Sequence, residues 1–342
     1  MFAEKGVYFM GICVSVIIPV HNGAATLKTC LEAVFHSNYS EFEVILVDDA
    51  SSDSSIDIAK EFPCKIIRME KQGGPSVARN LGVAQAKGDI LFFTDADVAV
   101  LKDTIKLGVF RLTSRPDLEA VIGSYTAETP VSNFVSRYKN YLHHYTHQHS
   151  VGEVSTFFTA CGVIRKSIFD KLYGFDESIT TTALEDVDLG YRIIKLGYKV
   201  LLDGTLQVTH LKKYSQKSLL HSDLLGRAIP YTKLMLKHRL FKGELSTGLN
   251  NVLSVFIIFK LLLLTVWMFH SKTKVPKGLS LISCVFLLYL NRGFYTFLHA
   301  KAGLAFAIRG IFMQWWGYLY SGVGFMLGIL SYMQDKFIQV QR

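Results

Sequence analysis

Residues 88–97, Gly88-Asp89-Ile90-Leu91-Phe92-Phe93-Thr94-Asp95-Ala96-Asp97, constrain the fold more than any other stretch of this 342-residue chain. Four apolar residues in an unbroken run are the pattern of a short strand buried on both faces, as in a parallel sheet. The run stops on two carboxylates two residues apart. In an open α/β sheet, ligands bind outside the carboxyl ends of the strands. Asp95 and Asp97 are therefore placed to hold a hard divalent cation and, through it, a diphosphate. A bare D-x-D also serves as an acidic loop ahead of a helix, and the rest of the chain must decide.

Upstream, Val14 to Val20 reads as a first strand ended by a turn at His21-Asn22-Gly23. A helix is expected over residues 25–37, with Leu27, Leu31, Val34 and Phe35 on one stripe. A second strand, residues 42–47, ends on Asp48-Asp49-Ala50-Ser51-Ser52-Asp53, and residues from Ser54 onward are well supplied with helix caps. Residues 65–69 form a short third strand; Gly73-Gly74-Pro75-Ser76 opens a helix carrying Arg79 and Asn80. Strand–helix alternation four times over predicts an α/β fold with a mostly parallel, doubly wound sheet. Two strands end in carboxylate clusters on the same edge, one suited to a base or ribose and the other to a metal. No G-x-G-x-x-G follows the first strand and no G-x-x-x-x-G-K-[ST] occurs, which argues against a dinucleotide oxidoreductase or a P-loop enzyme.

The ordered motifs Val14-Ser15-Val16-Ile17-Ile18-Pro19-Val20-His21-Asn22, Val47-Asp48-Asp49-Ala50-Ser51-Ser52-Asp53, Gly74-Pro75-Ser76-Val77-Ala78-Arg79-Asn80-Leu81-Gly82 and Asp95-Ala96-Asp97 resemble those of family 2 glycosyltransferases. The resemblance covers residues 13–210. It implies a GT-A (Rossmann-like) nucleotide-sugar-binding fold. In it Pro19 and His21 border the nucleotide, Asp49 hydrogen-bonds the base, and Arg79 and Asn80 lie with Asp95 at the nucleotide pocket. Asp95 and Asp97 would hold Mg²⁺ or Mn²⁺ on the diphosphate of a UDP- or GDP-linked sugar.

Further along, residues 157–165 are strand-like and Leu184-Glu185-Asp186-Val187-Asp188 opens a helix. In the same resemblance Gly162 lies in the acceptor-side strand, Glu185-Asp186 is the catalytic element, and Asp186 is the general base of an inverting transfer. Three first-turn acids are equally what a helix dipole favours. Residues 197–202 form a last strand; His210 beyond it reaches the metal or diphosphate in related enzymes, the alternative being a surface histidine. Arg137, Lys139 and the histidines at 143, 144, 147 and 149 read as an aromatic, amphipathic linker helix near the acceptor. No glutamate follows His143 as a zincin would need.

Charge is unevenly placed. Residues 1–205 carry 20 Lys/Arg against 25 Asp/Glu, residues 206–242 carry 8 against 1, and residues 246–342 carry 9 against 1. The net +9 thus belongs to the C-terminal part, beside apolar segments, which suits anionic lipid headgroups better than nucleic acid. Residues 211–242 alternate basic and leucine-rich positions, as in a helix lying in a membrane interface. Arg227 there is a candidate clamp for the diphosphate on the acceptor side. The Q-x-x-R-W of polymer-forming relatives is absent. Residues 252–269, 279–290 and 311–333 are apolar; the last, uncharged and aromatic-rich, is the prime candidate for a transmembrane helix. One to three spans fit, and the lysines at 272, 274 and 277 favour a re-entrant hairpin for the first pair.

The expected organisation is a catalytic domain over 1–210, an interfacial segment over 211–245 and a membrane region with C-terminal transmembrane helices over 246–342. The Val7–Val20 apolar stretch lacks a cleavage pattern and reads as a strand, not an export signal. Five scattered cysteines, with no C-x-x-C, read as buried hydrophobes in a reducing compartment. The setting implied is a prokaryotic cytoplasmic membrane with the catalytic domain in the cytoplasm. The acceptor would be a hydroxyl of a lipid-linked or membrane-proximal glycan. Two rival readings are a sugar nucleotidyltransferase, which would carry a Gly-rich basic loop after the first strand, and an inactive scaffold, which would have lost some of Asp49, Asp95, Asp97 or Asp186.

Overall fold

The computed structural model describes residues 11–179, 184–240, 245–270 and 273–340. It divides into two units: Met1–Thr126 with Val151–Lys212, and Ala127–Ser150 with Lys213–Arg342. Lys272, invoked above, lies outside the described residues, as do residues 241–242 of the basic segment and residues 7–10 of the leading apolar stretch.

The first unit begins β1 (Val14–Val20), α1 (Ala24–Phe35), β2 (Phe42–Asp48), α2 (Ser55–Ala59), β3 (Lys65–Arg68), α3 (Pro75–Ala84) and β4 (Ile90–Phe93). β5 (Val98–Val100), α4 (Thr104–Ser114) and β6 (Ala120–Tyr125) follow, and then α5 (Phe134–Gln148), which belongs to the second unit. The chain returns through β7 (Gly152–Val154), β8 (Gly162–Arg165), α6 (Lys166–Lys171), α7 (Glu185–Lys195) and β9 (Val200–His210). Strand order is β3-β2-β1-β4-β8-β6-β9-β5, with β7 on β9.

β3, β2, β1 and β4 pair in parallel, as helical crossovers require. Beyond β4 the sheet is mixed. β8 runs antiparallel to both β4 and β6, while β6 and β9 are parallel. All four residues of β4 are buried, with Leu91, Phe92 and Phe93 at zero exposure. This central strand therefore delivers Asp95 and Asp97 to the sheet edge from a fixed base.

Several elements differ from expectation. Residues 157–161 do not extend β8; Thr159–Cys161 is a 3₁₀ turn and the strand starts at Gly162. β9 is one 11-residue strand, not a strand with a trailing histidine. Its register against β6 shifts between Ile122 and Ser124, where the Asp203 carboxylate accepts the amide and hydroxyl of Thr205 within the bulged part of the strand. β5 and β7 have three residues each, too short to show a period. Cys30 and Cys161 are buried, and Cys13, Cys64 and Cys284 are partly so; all five are free.

In the second unit, α5 carries Tyr138 and Tyr141 into an aromatic cluster with Phe294, Tyr295 and Leu298. That buried stripe is why 127–150 packs here, apart from the rest of residues 1–210. The basic segment folds as α8 (Gln216–Asp223), a π turn (Leu224–Ala228) and α9 (Ile229–His238). Then come α10 (Leu249–His270), α11 (Val275–Leu290), α12 (Arg292–Ala302) and the 37-residue α13 (Leu304–Val340).

Among the described residues, α10 is the one unbroken helix long and apolar enough to cross a membrane. α11 and α12 meet that test only as a pair, bent by 64°. Residues 311–333, the expected span, do not meet it. Their apolarity is diluted by residues that serve packing: a Cβ on Gly324 or Gly328 of α13 would lie 2.5 Å from Ala228 or Thr232, so these glycines let α9 approach. Tyr318 Oη of α13 accepts from Gln314 at 2.7 Å and donates to Asn291 at the α11–α12 break, and Asn291 Nδ2 donates to Ser254 of α10 at 2.9 Å.

Candidate active site

The loops after β1 and β2 hold each other. Asn22 and Ala50 take left-handed backbone conformations, φ 51° and 55°, uncommon for residues with a Cβ and characteristic of loops held by their surroundings. The Asp49 amide donates to Val20 O, and His21 Nδ1 lies 2.7 Å from Asp49 O. Asn22 Oδ1 accepts from Ser52 N at 2.9 Å, and Asp53 Oδ2 accepts from Ala24 N at 2.9 Å. Pro19 sits opposite Val47 in the β1–β2 ladder and is half-buried.

Asp49 is 4 % exposed. Its Oδ1 accepts from Gly73 N at 2.6 Å and its Oδ2 from Gly74 N at 2.9 Å. The two glycine amides fix the carboxylate, and each oxygen keeps a second lone pair for a ligand donor. Beside it is a cavity of 520 Å³ lined by Ala50, Ser51, Arg68, Met69 and Glu70. Arg68 was not singled out from the sequence, although it ends β3 on the same sheet edge. Its Nε lies 3.5 Å from Asp48 Oδ2, an oxygen with no hydrogen-bond partner.

Arg79 is the hinge of the site. It is buried, with Nη1 donating to Glu185 Oε1 and Nη2 to Asp95 Oδ1, both at 2.7 Å, and its guanidinium lies 5.7 Å from the Phe175 ring centre. Burial works against the charged form, but the Asp95 and Glu185 carboxylates outweigh it and raise the guanidinium above its ordinary value. One cation thus joins the loop after β4 to the first turn of α7. Asn80, its neighbour on α3, closes a different contact: its amide bonds both the N–H and the carbonyl of Phe175 and reaches Glu177 Oε1, each at 2.9 Å.

Glu185 is spent on structure, since Oε1 takes Arg79 and Oε2 accepts from Leu184 N at 2.9 Å. Asp186, 8 % exposed, accepts from Val187 N through Oδ1 at 2.7 Å. Its helix is seated closely: a Cβ on Gly190 would collide with Phe157 N, and one on Gly162 would lie 2.5 Å from Phe157 Cζ. Gly190, not selected from the sequence, and Gly162 therefore both make room for Phe157, whose amide donates to Asp186 O.

Asp97 O accepts from Leu211 N at 2.8 Å, and Lys212 Nζ lies 3.7 Å from Asp97 Oδ2. His210 pairs with Val98 across the β5–β9 ladder and is buried, its ring stacked 4.4 Å from that of Tyr125. The surface-histidine alternative is thereby set aside. Among the described residues, no group of three or more His, Cys, Asp or Glu is gathered as a protein-only metal cage. The Asp95–Asp97 pair instead offers two hard carboxylates, the donor set Mg²⁺ commonly takes when substrate phosphates complete the shell. Arg227 belongs to the second unit, where its Nη1 lies 3.4 Å from His143 Nε2.

Residues 15–173 match the profile described as glycosyl transferase family 2. The chain carries a family 2 glycosyltransferase domain. Glycosyltransferase GlyG of Streptococcus pneumoniae serotype 4 is 31 % identical over 121 residues, covering 34 % of this chain and 40 % of that protein. Probable glycosyltransferase YdaM of Bacillus subtilis is 30 % identical over 203 residues, covering 55 % and 48 %. The chain thus spans less than half the length of these curated relatives. Among solved structures, a mannosyltransferase from Pyrobaculum calidifontis in complex with GDP-Man and Mn²⁺ superposes with a TM-score of 0.54 at 16 % identity, over 94 % of this chain and 87 % of that one. S. aureus TarS 1–349 in complex with UDP-GlcNAc gives 0.51 at 19 % identity, over 66 % and 65 %. These likenesses establish a GT-A-like fold.

Proposed function

We propose that this protein is an inverting glycosyltransferase. It moves a sugar from a UDP- or GDP-linked donor to a hydroxyl of a lipid-linked or membrane-proximal glycan. The observation that carries the reading is Arg79 bound at once to Asp95 and Glu185, because it couples the donor-side carboxylate to the helix that carries the candidate base. GDP-Man and UDP-GlcNAc in the two structural neighbours support a nucleotide-sugar donor.

In this account the nucleoside occupies the 520 Å³ cavity, with its base hydrogen-bonded to Asp49 and its ribose near Pro19 and His21. Asp95 Oδ2, left over after Arg79 takes Oδ1, and Asp97 would hold Mg²⁺ or Mn²⁺, with His210 at the same edge. That ion supplies Lewis-acid stabilisation of charge on the leaving diphosphate when bound. Asp186 removes the proton from the acceptor hydroxyl, whose oxygen attacks the anomeric carbon from the face opposite the diphosphate. Glu185 and Asn80 position the site through Arg79 and the Phe175 loop.

The intact Asp49, Asp95, Asp97 and Asp186 argue against an inactive scaffold, and His21-Asn22-Gly23 in place of a Gly-rich basic loop argues against a nucleotidyltransferase. The test is Asp186→Asn, expected to lose about 10²–10⁴ in transfer rate while nucleotide binding persists. Loss of nucleotide binding in that variant would assign Asp186 a structural role and overturn the assignment.

A further inference from the structure

The helical unit contains a charged cluster that the transfer chemistry does not use. Lys139 of α5 donates to both oxygens of Asp223 at the end of α8, at 2.7 and 2.9 Å, and Tyr320 of α13 donates to Asp223 Oδ2 at 2.8 Å. Both members of this ion pair are nearly buried, with side chains 7 % and 12 % exposed. Asp223 is therefore committed. Immediately after it the chain makes the π turn Leu224–Ala228, a backbone form that recurs at functional sites.

Arg227 is exposed on that turn. Its charge acts on the Asp223 carboxylate, whose oxygens are already taken by Lys139 and Tyr320, and its Nη1 lies 3.4 Å from the ring nitrogen of His143. His143 and His147 stand one turn apart on α5, with rings near-parallel and 6.5 Å between centres. A ring nitrogen at that distance is a weak acceptor for a guanidinium fork; a phosphate, with several charged oxygens, is a strong one. We propose that Arg227, His143 and His147 form an anion site on the helical unit that takes the terminal phosphate of a lipid phosphomonoester.

The lipid source follows from the unit's composition. Its sequence carries 18 Lys/Arg against 4 Asp/Glu, and it contains α10, which is apolar and long enough to cross a bilayer. A basic pocket on such helices recruits anionic head groups. The phosphate site stands independently of the glycosyltransferase reading.

The experiment is co-sedimentation of the full chain with phosphatidylcholine vesicles containing either phosphatidic acid, a phosphomonoester, or phosphatidylglycerol, a diester, matched for total charge. Inorganic phosphate serves as a soluble competitor. Wild type is expected to prefer phosphatidic acid, and Arg227→Gln to lose that preference by about tenfold. Arg227→Lys, with charge but no fork, should fall between, and Lys217→Gln, which removes a charge from the same unit outside the cluster, should keep the preference. Competition by inorganic phosphate at vesicle-equivalent concentration would show a site for free phosphate and overturn the lipid assignment. Equal binding of the two lipids, or an Arg227→Gln protein that binds like wild type with an unchanged melting temperature, would overturn the site. A wild-type melting-temperature shift with UDP or GDP reports on the donor reading separately, so the two can fail independently.

Discussion

Arg79 illustrates how one buried residue can serve both stability and chemistry. Its side chain is 4 % exposed and Glu185 is 2 % exposed, so deleting the guanidinium strands a buried carboxylate. Breaking a buried pair from one side costs about 3–5 kcal/mol, and Arg79→Met is expected to lose about that much in a urea melt. Arg79→Lys should lose less, since one ammonium can meet one carboxylate but not fork between two. A melt unchanged in Arg79→Met would contradict the bridge.

At the same scale, Asp203 sets part of the acid response. Burial opposes its charge, yet the Thr205 hydroxyl and amide and the Arg111 guanidinium outweigh it and hold the carboxyl below the ordinary range. A folded-state value below the unfolded one contributes stability above the ordinary carboxylate range, and that stability is lost as pH falls through the folded value. Asp203→Asn should therefore be less stable than wild type at neutral pH, the two converging as pH falls below the ordinary carboxylate range. A constant gap across that window would contradict the assignment.

Among the elements, α7 is placed by close approach rather than by its caps. No methyl fits at Gly190 without moving the Phe157 backbone, so Gly190→Ala should destabilise by about 1–3 kcal/mol and displace Asp186, lowering transfer more than nucleotide affinity. The parallel half of the sheet was legible because unbroken apolar runs and loops rich in Asp, Ser and Gly repeat at each crossover. β5, β6 and β7 were not, because two are three residues long and β6 ends in Gly-Ser-Tyr. Within the site, Asp49 and the Asp95–Asp97 pair could be placed on one edge from strand ends alone. The role of Arg79 as a bridge could not, because Glu185 lies 106 residues away and only the tertiary fold brings them together. Residues 311–333 are uncharged but fall short of the hydropathy of a membrane-crossing helix, because positions such as Gly324 and Gly328, which serve helix contact, stand among the apolar ones.

Across the whole molecule, charge separates with the two units. The first unit's sequence carries 19 Lys/Arg against 24 Asp/Glu and the second 18 against 4. A net −5 beside a net +14 predicts association with anionic vesicles that weakens as salt screens the exposed cations; binding insensitive to salt would leave apolar burial as the sole attachment.

The central claim is a donor site built on Asp49 and the Asp95–Asp97 pair. It is tested most directly by the melting temperature of the detergent-solubilised protein with UDP and GDP, with and without Mn²⁺, in wild type and Asp97→Asn. The account predicts a nucleotide-dependent rise that Mn²⁺ enlarges in wild type and that Asp97→Asn largely loses. No rise with either nucleotide, or a rise indifferent to both Mn²⁺ and Asp97, would contradict it.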